Sequence, residues 1–119
     1  MQPRKVRSHE DLEVWKLARQ LAAETYRMTA RLPLQEQFGL QSQMRRSAVS
    51  VASNLAEGAA RETAGDFRRF VSISMGSLAE LETQCLLCED LDLLARDEDF
   101  LRKIRHLRIM LASLRRTLR

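Results

Sequence analysis

The feature that most limits how this chain can fold is the spacing of its apolar residues, which return every three or four positions along most of its length. Such spacing places apolar side chains on one side of an α-helix, whereas a strand would need them at every second position. The middle of the chain carries the cleanest stripe, with the members Leu40, Met44, Ala48, Val51, Ala52, Leu55 and Ala59. Near the end the steps alternate between four and three, as in a heptad seam, at Phe100, Ile104, Leu107, Leu111, Leu114 and Leu118.

Two further stripes bring the total to four. The first runs from Val14 through Thr25 to Tyr26, and the third runs from Phe67 to Cys88. Signals for the starts of helices come just before three of the stripes, where Ser8 precedes Asp11 by three residues, Thr63 precedes Asp66 by three, and Asp97 opens the last segment. The sequence therefore predicts four helices, at about residues 9–31, 36–61, 64–94 and 97–118.

The connections between these helices are short, so consecutive helices should lie antiparallel. We therefore expect an all-α fold, an antiparallel up-down-up-down four-helix bundle over residues 9–119, preceded by a flexible basic arm at residues 1–8. The 119 residues suit one domain that buries a core without disulfides or metals. Only 4 Gly and 2 Pro are present, too few for the turns of an all-β fold.

Catalytic and cofactor motifs are not recognisable in the sequence. Cys85 and Cys88 lie on the apolar stripe of the third helix without a second pair, so we expect them to pack in the core rather than bind zinc. There is no Gly-rich phosphate loop, no Ser/His/Asp set and no Glu-x-x-His motif. We therefore expect that the protein is not an enzyme and that it binds no cofactor. The apolar runs are too short to cross a membrane and no signal peptide is apparent, so a cytoplasmic location is expected.

A polar stripe on the second helix is the first candidate site, because half of its side chains are short where a solvated face would carry long ones. Its members, with their close neighbours, are Arg46, Ser50, Asn54, Glu57 and Arg61, beside Gln43, Ser47 and Ser53. A hairpin turning near residue 63 would bring them level with the third helix, Arg46 with Glu80, Glu57 with Arg69, and Ser50 with Gly76 and Ser77. We expect an inter-helix or intersubunit polar network that fixes register. The other interpretations are a contact with a ligand or nucleic acid, or a solvated surface.

An arginine face on the fourth helix is the second candidate. It consists of Arg102, Arg105, Arg108, Arg115, Arg116 and Arg119, with no acidic residue among them. Such a face attracts phosphate backbones electrostatically. Alternatively, the arginines pair with Glu89, Asp90 and Asp92 of the third helix or are simply solvated. Aromatic residues make up only 5% of the chain, which gives little support to base stacking.

Several apolar residues lie off the main stripes and would be partly exposed in a single bundle, namely Ile73, Leu86, Leu87, Ile109 and Met110. A second apolar surface of this kind indicates self-association.

Four separated motifs also resemble a known family. They are residues 11–18 (DLEVWKLA), Leu32-Pro33 with Glu36 and residues 38–40 (FGL), residues 42–50 running into 53–58, and residues 76–78 followed by 80–84. Together they resemble the bacterial four-helix-bundle family named for proteins encoded in intervening sequences of 23S ribosomal RNA genes. The resemblance implies a left-handed bundle that forms a ring-like homopentamer without established enzymatic activity. The family is in turn similar to the accessory protein of diversity-generating retroelements, a basic pentameric bundle that binds nucleic acid and a reverse transcriptase.

From residues and resemblance together we expect a non-catalytic, self-assembling bundle that binds structured RNA or DNA through its arginines. The alternative is a protein-interaction module whose basic surface meets an acidic protein partner and which has no nucleic-acid role.

Overall fold

The structure is a computed structural model that describes His9 and residues 12–118. The described residues form four α-helices without any strand, which confirms the predicted all-α fold. The helices and one short 3-10 helix are α1 (Glu13–Thr29), the 3-10 helix (Leu34–Glu36), α2 (Leu40–Ala59), α3 (Ala64–Asp90) and α4 (Glu98–Thr117). The predicted basic arm, the start signal at Ser8 and Asp11, and Arg119 lie outside the described residues.

The helices pack in chain order around a square. Each contacts the next one along the chain, and α1 also contacts α4, which closes the bundle. The connections of a few residues force neighbouring helices to run in opposite directions. Contacts between neighbours agree with this, because Ser50 near the middle of α2 meets Ser77 near the middle of α3.

The core lies where the four apolar stripes meet. Every helix contributes side chains with almost no solvent exposure, among them Ala18, Leu21, Met44, Val51, Leu55, Phe67, Leu78, Leu81, Ile104, Leu107 and Leu111. Burying one leucine or phenylalanine side chain stabilises a fold by roughly 1.5–3 kcal/mol. The periodicity of the sequence thus translates directly into the packing of the bundle.

The second helix begins later than the predicted residue 36. After Pro33 the chain makes the short 3-10 helix, and α2 starts at Leu40. The Glu36 carboxylate accepts a hydrogen bond from the backbone N–H of Leu40 at 3.1 Å, so Glu36 satisfies an open donor of α2 instead of belonging to it. The first helix likewise begins at Glu13, after the extended Leu12, rather than at residue 9.

The third helix ends at Asp90, four residues before the predicted Leu94. Asp92 has a φ of 56°, the left-handed conformation. The N–H of Leu93 then bonds to the carbonyl of Cys88 at 2.8 Å, and that of Asp92 to Glu89 at 3.0 Å. These two bonds form a Schellman motif, which closes the helix although the leucines that follow continue its apolar pattern.

Some apolar side chains do not lie where the sequence indicates. Tyr26, expected on the core face, is 45% exposed. Leu86 and Met110, expected outside, pack partly against the core, whereas Ile73, Leu87 and Ile109 are exposed. Among the described residues, none of the helices combines the length and the apolar character that crossing a bilayer requires.

Candidate functional site

A seam of short polar side chains joins α2 to α3. The hydroxyls of Ser50 and Ser77 share a hydrogen bond of 2.8 Å, and Ser74 donates to the carbonyl of Val51 at 2.8 Å. The Asn54 amide donates to the carbonyl oxygen of Ser50 at 2.8 Å and to its hydroxyl at 2.9 Å. Because hydroxyl groups are small, the two helix backbones approach closely while their buried polar groups remain bonded.

Gly58 completes this close approach at the end of α2. A Cβ at this position would lie 2.7 Å from the Cβ of Phe70 and 3.0 Å from the Cδ1 of Phe67, closer than such atoms can pack. Gly76, which the sequence places level with Ser50, instead faces open space with nothing within 4 Å of a Cβ. The difference depends on the rotation of α3 about its axis, which the sequence alone did not reveal.

Two ion pairs expected across the hairpin are not formed. No salt bridge links Arg46 to Glu80 within the described chain, although both side chains line the rim of the same groove between α2 and α3. Glu57 pairs with Arg61 at 2.9 Å, one turn along its own helix, rather than with Arg69. A partner at i+4 is already within reach on the same helix face, so Glu57 need not cross to α3.

Two arginines near this end lie over an aromatic ring. The guanidinium carbons of Arg61 and Arg69 are 4.9 and 4.6 Å from the ring centre of Phe70. This distance is suitable for cation–π attraction. Arg61 and Arg69 therefore meet near the α2–α3 turn through the Phe70 ring, and the predicted Glu57–Arg69 ion pair is not formed.

The α2–α3 groove contains one buried polar atom without a partner. Gln84 is only 8% exposed, and its side-chain oxygen has no hydrogen-bond donor in the described part of the chain. Leaving a buried acceptor unsatisfied typically costs about 1–3 kcal/mol. Gln84 lines the groove together with Gln43, Arg46, Ser47 and Glu80, so its orphan oxygen lies beside a surface that other molecules can reach.

The arginine face of α4 is partly neutralised by α3, as in the alternative interpretation, but through Glu82 rather than through Glu89, Asp90 or Asp92. Glu82 of α3 is 19% exposed and accepts hydrogen bonds from Arg105, at 3.3 Å, and from Arg108. Arg102 pairs with Asp99, one turn earlier on α4. Glu82 reaches these arginines because it projects from the side of α3 that contacts α4, a relation that depends on helix rotation.

The acids proposed as partners on α3 do not serve this face. Glu89 instead forms a salt bridge of 3.2 Å with Arg96, in the connection before α4. Asp90 and Asp92 make no salt bridge with any described residue. Asp90 is the last residue of α3, and Asp92 lies in the connection that leads to α4.

The remaining arginines of α4 have no carboxylate partner among the described residues. Arg115 donates to the hydroxyl of Ser72 at 3.4 Å, and Arg116 makes no described ion pair. Arg68 lies one turn before Ser72 on the same face of α3. We call the resulting surface the α3–α4 basic face, formed by Arg68, Arg105, Arg108, Arg115 and Arg116.

An exposed apolar patch lies on the opposite side of the bundle, between α1 and α2. Phe38 is 89% exposed, and Tyr26 and Val49 line the same shallow depression. Arg45 lies 4.5 Å from the ring centre of Tyr26 and donates to the Thr29 hydroxyl at 2.9 Å. Thr25 and Thr29 are fully buried, so the threonines of α1 lie in the core. Tyr26 lies outside, against Arg45.

The cysteines lie in or beside the core. The Cys88 thiol is buried 3.6 Å from the sulfur of Met44. Burial raises the pKa of Cys85 to about 12, and burial also raises the pKa of Cys88. The thiolate is the reactive form, so these environments suit packing rather than nucleophilic chemistry. In the part of the chain that the structure describes, no three metal-ligating side chains cluster.

Comparison with known proteins gives a family and a fold. The sequence model of one family, described as "23S rRNA-intervening sequence protein", matches residues 10–113. A crystal structure of a protein of unknown function from the S23 ribosomal protein family of Bacteroides thetaiotaomicron VPI-5482 is similar, with a TM-score of 0.79 and 20% sequence identity. The alignment covers 85% of this chain and 96% of that chain. At this identity the likeness concerns the fold alone. No curated protein matches significantly.

Proposed function

This chain belongs to the 23S rRNA-intervening sequence protein family, and we propose that it is a non-catalytic bundle that assembles with copies of itself and binds structured RNA or DNA. The observation that carries the nucleic-acid part is the α3–α4 basic face. Arg68, Arg115 and Arg116 have no carboxylate partner in the described chain, whereas Arg96 and Arg102 at the opposite end are paired with acids. Positive charge is therefore available at one end of the bundle.

Arginines arranged this way suit a phosphate backbone. A guanidinium presents several donors in a plane and can hold two phosphate oxygens at once. Glu82 is shared between Arg105 and Arg108, so these two residues retain a net positive charge. Few aromatic side chains are available for stacking on bases, and we therefore propose recognition of backbone shape rather than of sequence.

Exposed apolar side chains support the self-assembly part. Phe38, Val49, Ile73, Leu87 and Ile109 are exposed on the single chain, which is unfavourable unless other surfaces cover them. We propose a closed ring, with five copies as the family resemblance implies, acting in the cytoplasm. The likeness to the accessory protein of diversity-generating retroelements stays a prediction, and nucleic-acid binding is the property that the two would share.

The nucleic-acid proposal is tested with the double variant Arg115→Gln/Arg116→Gln in electrophoretic shift assays with duplex RNA and DNA. We expect weaker binding at low salt and a shallower dependence of affinity on salt. On duplex DNA the logarithmic slope should decrease by about 0.9 for each phosphate that the protein no longer neutralises. The matched control is Arg27→Gln/Arg31→Gln, which removes the same charge from the end of α1 far from the basic face. Equal binding by both variants would contradict the proposal.

An acidic protein partner is the second candidate, and the position of Glu82 favours it. One carboxylate already fits between Arg105 and Arg108, so the spacing of these arginines accepts acidic side chains as well as phosphates. The same assay separates the two candidates. Failure of the wild-type protein to bind RNA or DNA at low salt would reject nucleic acid and leave the acidic partner.

A further inference from the structure

Unsatisfied groups collect on the outer side of α3. Ile73, Glu80 and Leu87 are spaced seven residues apart and therefore lie on one side of the helix, with a drift of only about 20° per step. Ile73 and Leu87 are exposed apolar side chains, Glu80 has no salt bridge among the described residues, and the neighbouring Gln84 holds the orphan oxygen. We call these four residues the α3 stripe.

A second line of residues runs along the outside of α2 and of the connection that precedes it. Ser42, Arg46 and Val49 are three or four residues apart on α2 and share one side of the helix, and Phe38, which precedes α2, lines the same shallow depression. Phe38 and Val49 are exposed apolar side chains, and Arg46 is a base without a salt bridge in the described chain. We call these residues the α2 stripe. Each stripe thus contains apolar side chains and one unpaired charge, of opposite sign in the two stripes.

The two stripes correspond in height along the bundle. The Ser50–Ser77 bond and the Ser74–Val51 bond fix the register of the antiparallel helices. Equal steps from these bonds place Arg46 level with Glu80, and Ser42 level with Gln84. Continued two residues beyond the start of α2, the same count brings Phe38 to within one residue of Leu87.

In an assembly whose rotation axis runs along the bundle, rotation leaves every residue at its original height. Residues that are level within one copy are therefore also level between neighbouring copies. This holds for a pair of copies and for a larger ring alike, so it does not depend on the number of subunits.

Resting on the proposed self-assembly, we propose that the α2 stripe of one copy packs on the α3 stripe of the next. Phe38 then covers Leu87, and Arg46 pairs with Glu80 of the neighbouring copy. The stripes differ from each other, and contacts between two different patches are the kind that generate rings. The arrangement covers apolar surface and pairs the charges in one interface.

Charge reversal tests the interface. Arg46→Glu and Glu80→Arg each place like charges opposite one another at every junction, so both variants should form smaller assemblies than the wild-type protein in light scattering and native mass spectrometry. In an equimolar mixture of the two variants, the acid at position 46 of one chain faces the base at position 80 of the other. Native Arg46 and Glu80 meet at the alternate junctions. The mixture should therefore form larger assemblies than either variant alone, and in a ring of five only one junction would remain between two copies of the same variant.

Mixing separates contacts between copies from contacts within one copy. If Arg46 acted on Glu80 of its own chain, each single variant would contain two like charges within one chain. Only the double variant Arg46→Glu/Glu80→Arg would then recover the wild-type assembly size. Recovery of the double variant without recovery of the mixture would overturn the proposal, as would wild-type size for both single variants. Phe38→Ser, at a side chain that is 89% exposed, provides a second probe that should reduce assembly without unfolding the chain.

Controls and the wild-type protein distinguish the possible failures. Arg27→Glu and Glu62→Arg make the same charge reversals away from both stripes and should assemble like the wild-type protein. Circular dichroism melting checks that every variant is folded. A wild-type protein that remains monomeric would reject self-assembly and this interface together. A wild-type assembly that tolerates Arg46→Glu, Glu80→Arg and Phe38→Ser would reject only the interface.

Discussion

Single side chains decide how closely α2 and α3 approach. Gly58 leaves room for Phe67 and Phe70, and Ser74 bonds directly to the backbone of α2. The apolar stripe of α2 was readable from the sequence because its period is that of a helix. The role of Gly58 could not be predicted from the sequence, because a glycine near a helix end can either end the helix or make room for an aromatic ring.

Replacing Gly58 by alanine should destabilise the fold. The added methyl group has no space, and overpacking of this kind costs about 1–3 kcal/mol. Urea denaturation followed by circular dichroism measures the change in the free energy of unfolding. The control is Gly76→Ala, in open space, where alanine should stabilise the helix by roughly 0.5–1 kcal/mol. Equal effects of the two substitutions would show that Gly58 makes no special room.

Cys85 should make stability fall in alkaline solution. Burial raises its pKa from 9.0 to about 12, so between these values the folded chain keeps a proton that the unfolded chain has lost. The free energy of unfolding should therefore decrease with rising pH in this range, by at most about 1.4 kcal/mol per pH unit for this thiol. Denaturation under reducing conditions at several pH values measures the slope. Cys85→Ala should have a shallower slope, and an unchanged slope would contradict the assignment.

Helix ends were partly predictable. Thr63 accepts a hydrogen bond from the N–H of Asp66 at 3.1 Å, and Asp97 accepts one from Phe100 at 3.0 Å, so both local start signals correspond to real caps. The end of α3 was not predictable in the same way, because Leu91, Leu93 and Leu94 continue an apolar pattern beyond it. A left-handed aspartate stops the helix where sequences more often place glycine.

Asp92→Gly should stabilise the protein. Glycine adopts the φ of 56° without a steric penalty, and the substitution removes a negative charge from the negative end of the helix dipole. We expect a gain of about 1 kcal/mol, or a melting temperature higher by roughly 4 °C. Asp90→Gly makes the same substitution inside the last turn of α3 and should be destabilising. A lower melting temperature for Asp92→Gly would contradict this account of the helix end.

The whole molecule distributes its surfaces over different sides. The α3–α4 basic face lies away from the α2 stripe and the exposed patch around Phe38, so contacts through α2 leave the arginines accessible. Four amphipathic stripes and three short connections were sufficient to predict this architecture. Pairs such as Glu82 with Arg105 were not predictable, because they depend on how each helix is rotated against its neighbour.

The seam between α2 and α3 also affects how this protein can change over evolutionary time. Nearly every substitution at Ser50, Gly58, Ser74 or Ser77 enlarges the side chain. The helices have little freedom to move apart, because large apolar side chains on their inner sides pack together in the core. The fold therefore tolerates few substitutions at the seam between α2 and α3. The outward-facing residues of α1 tolerate more, so neutral variation should accumulate there first.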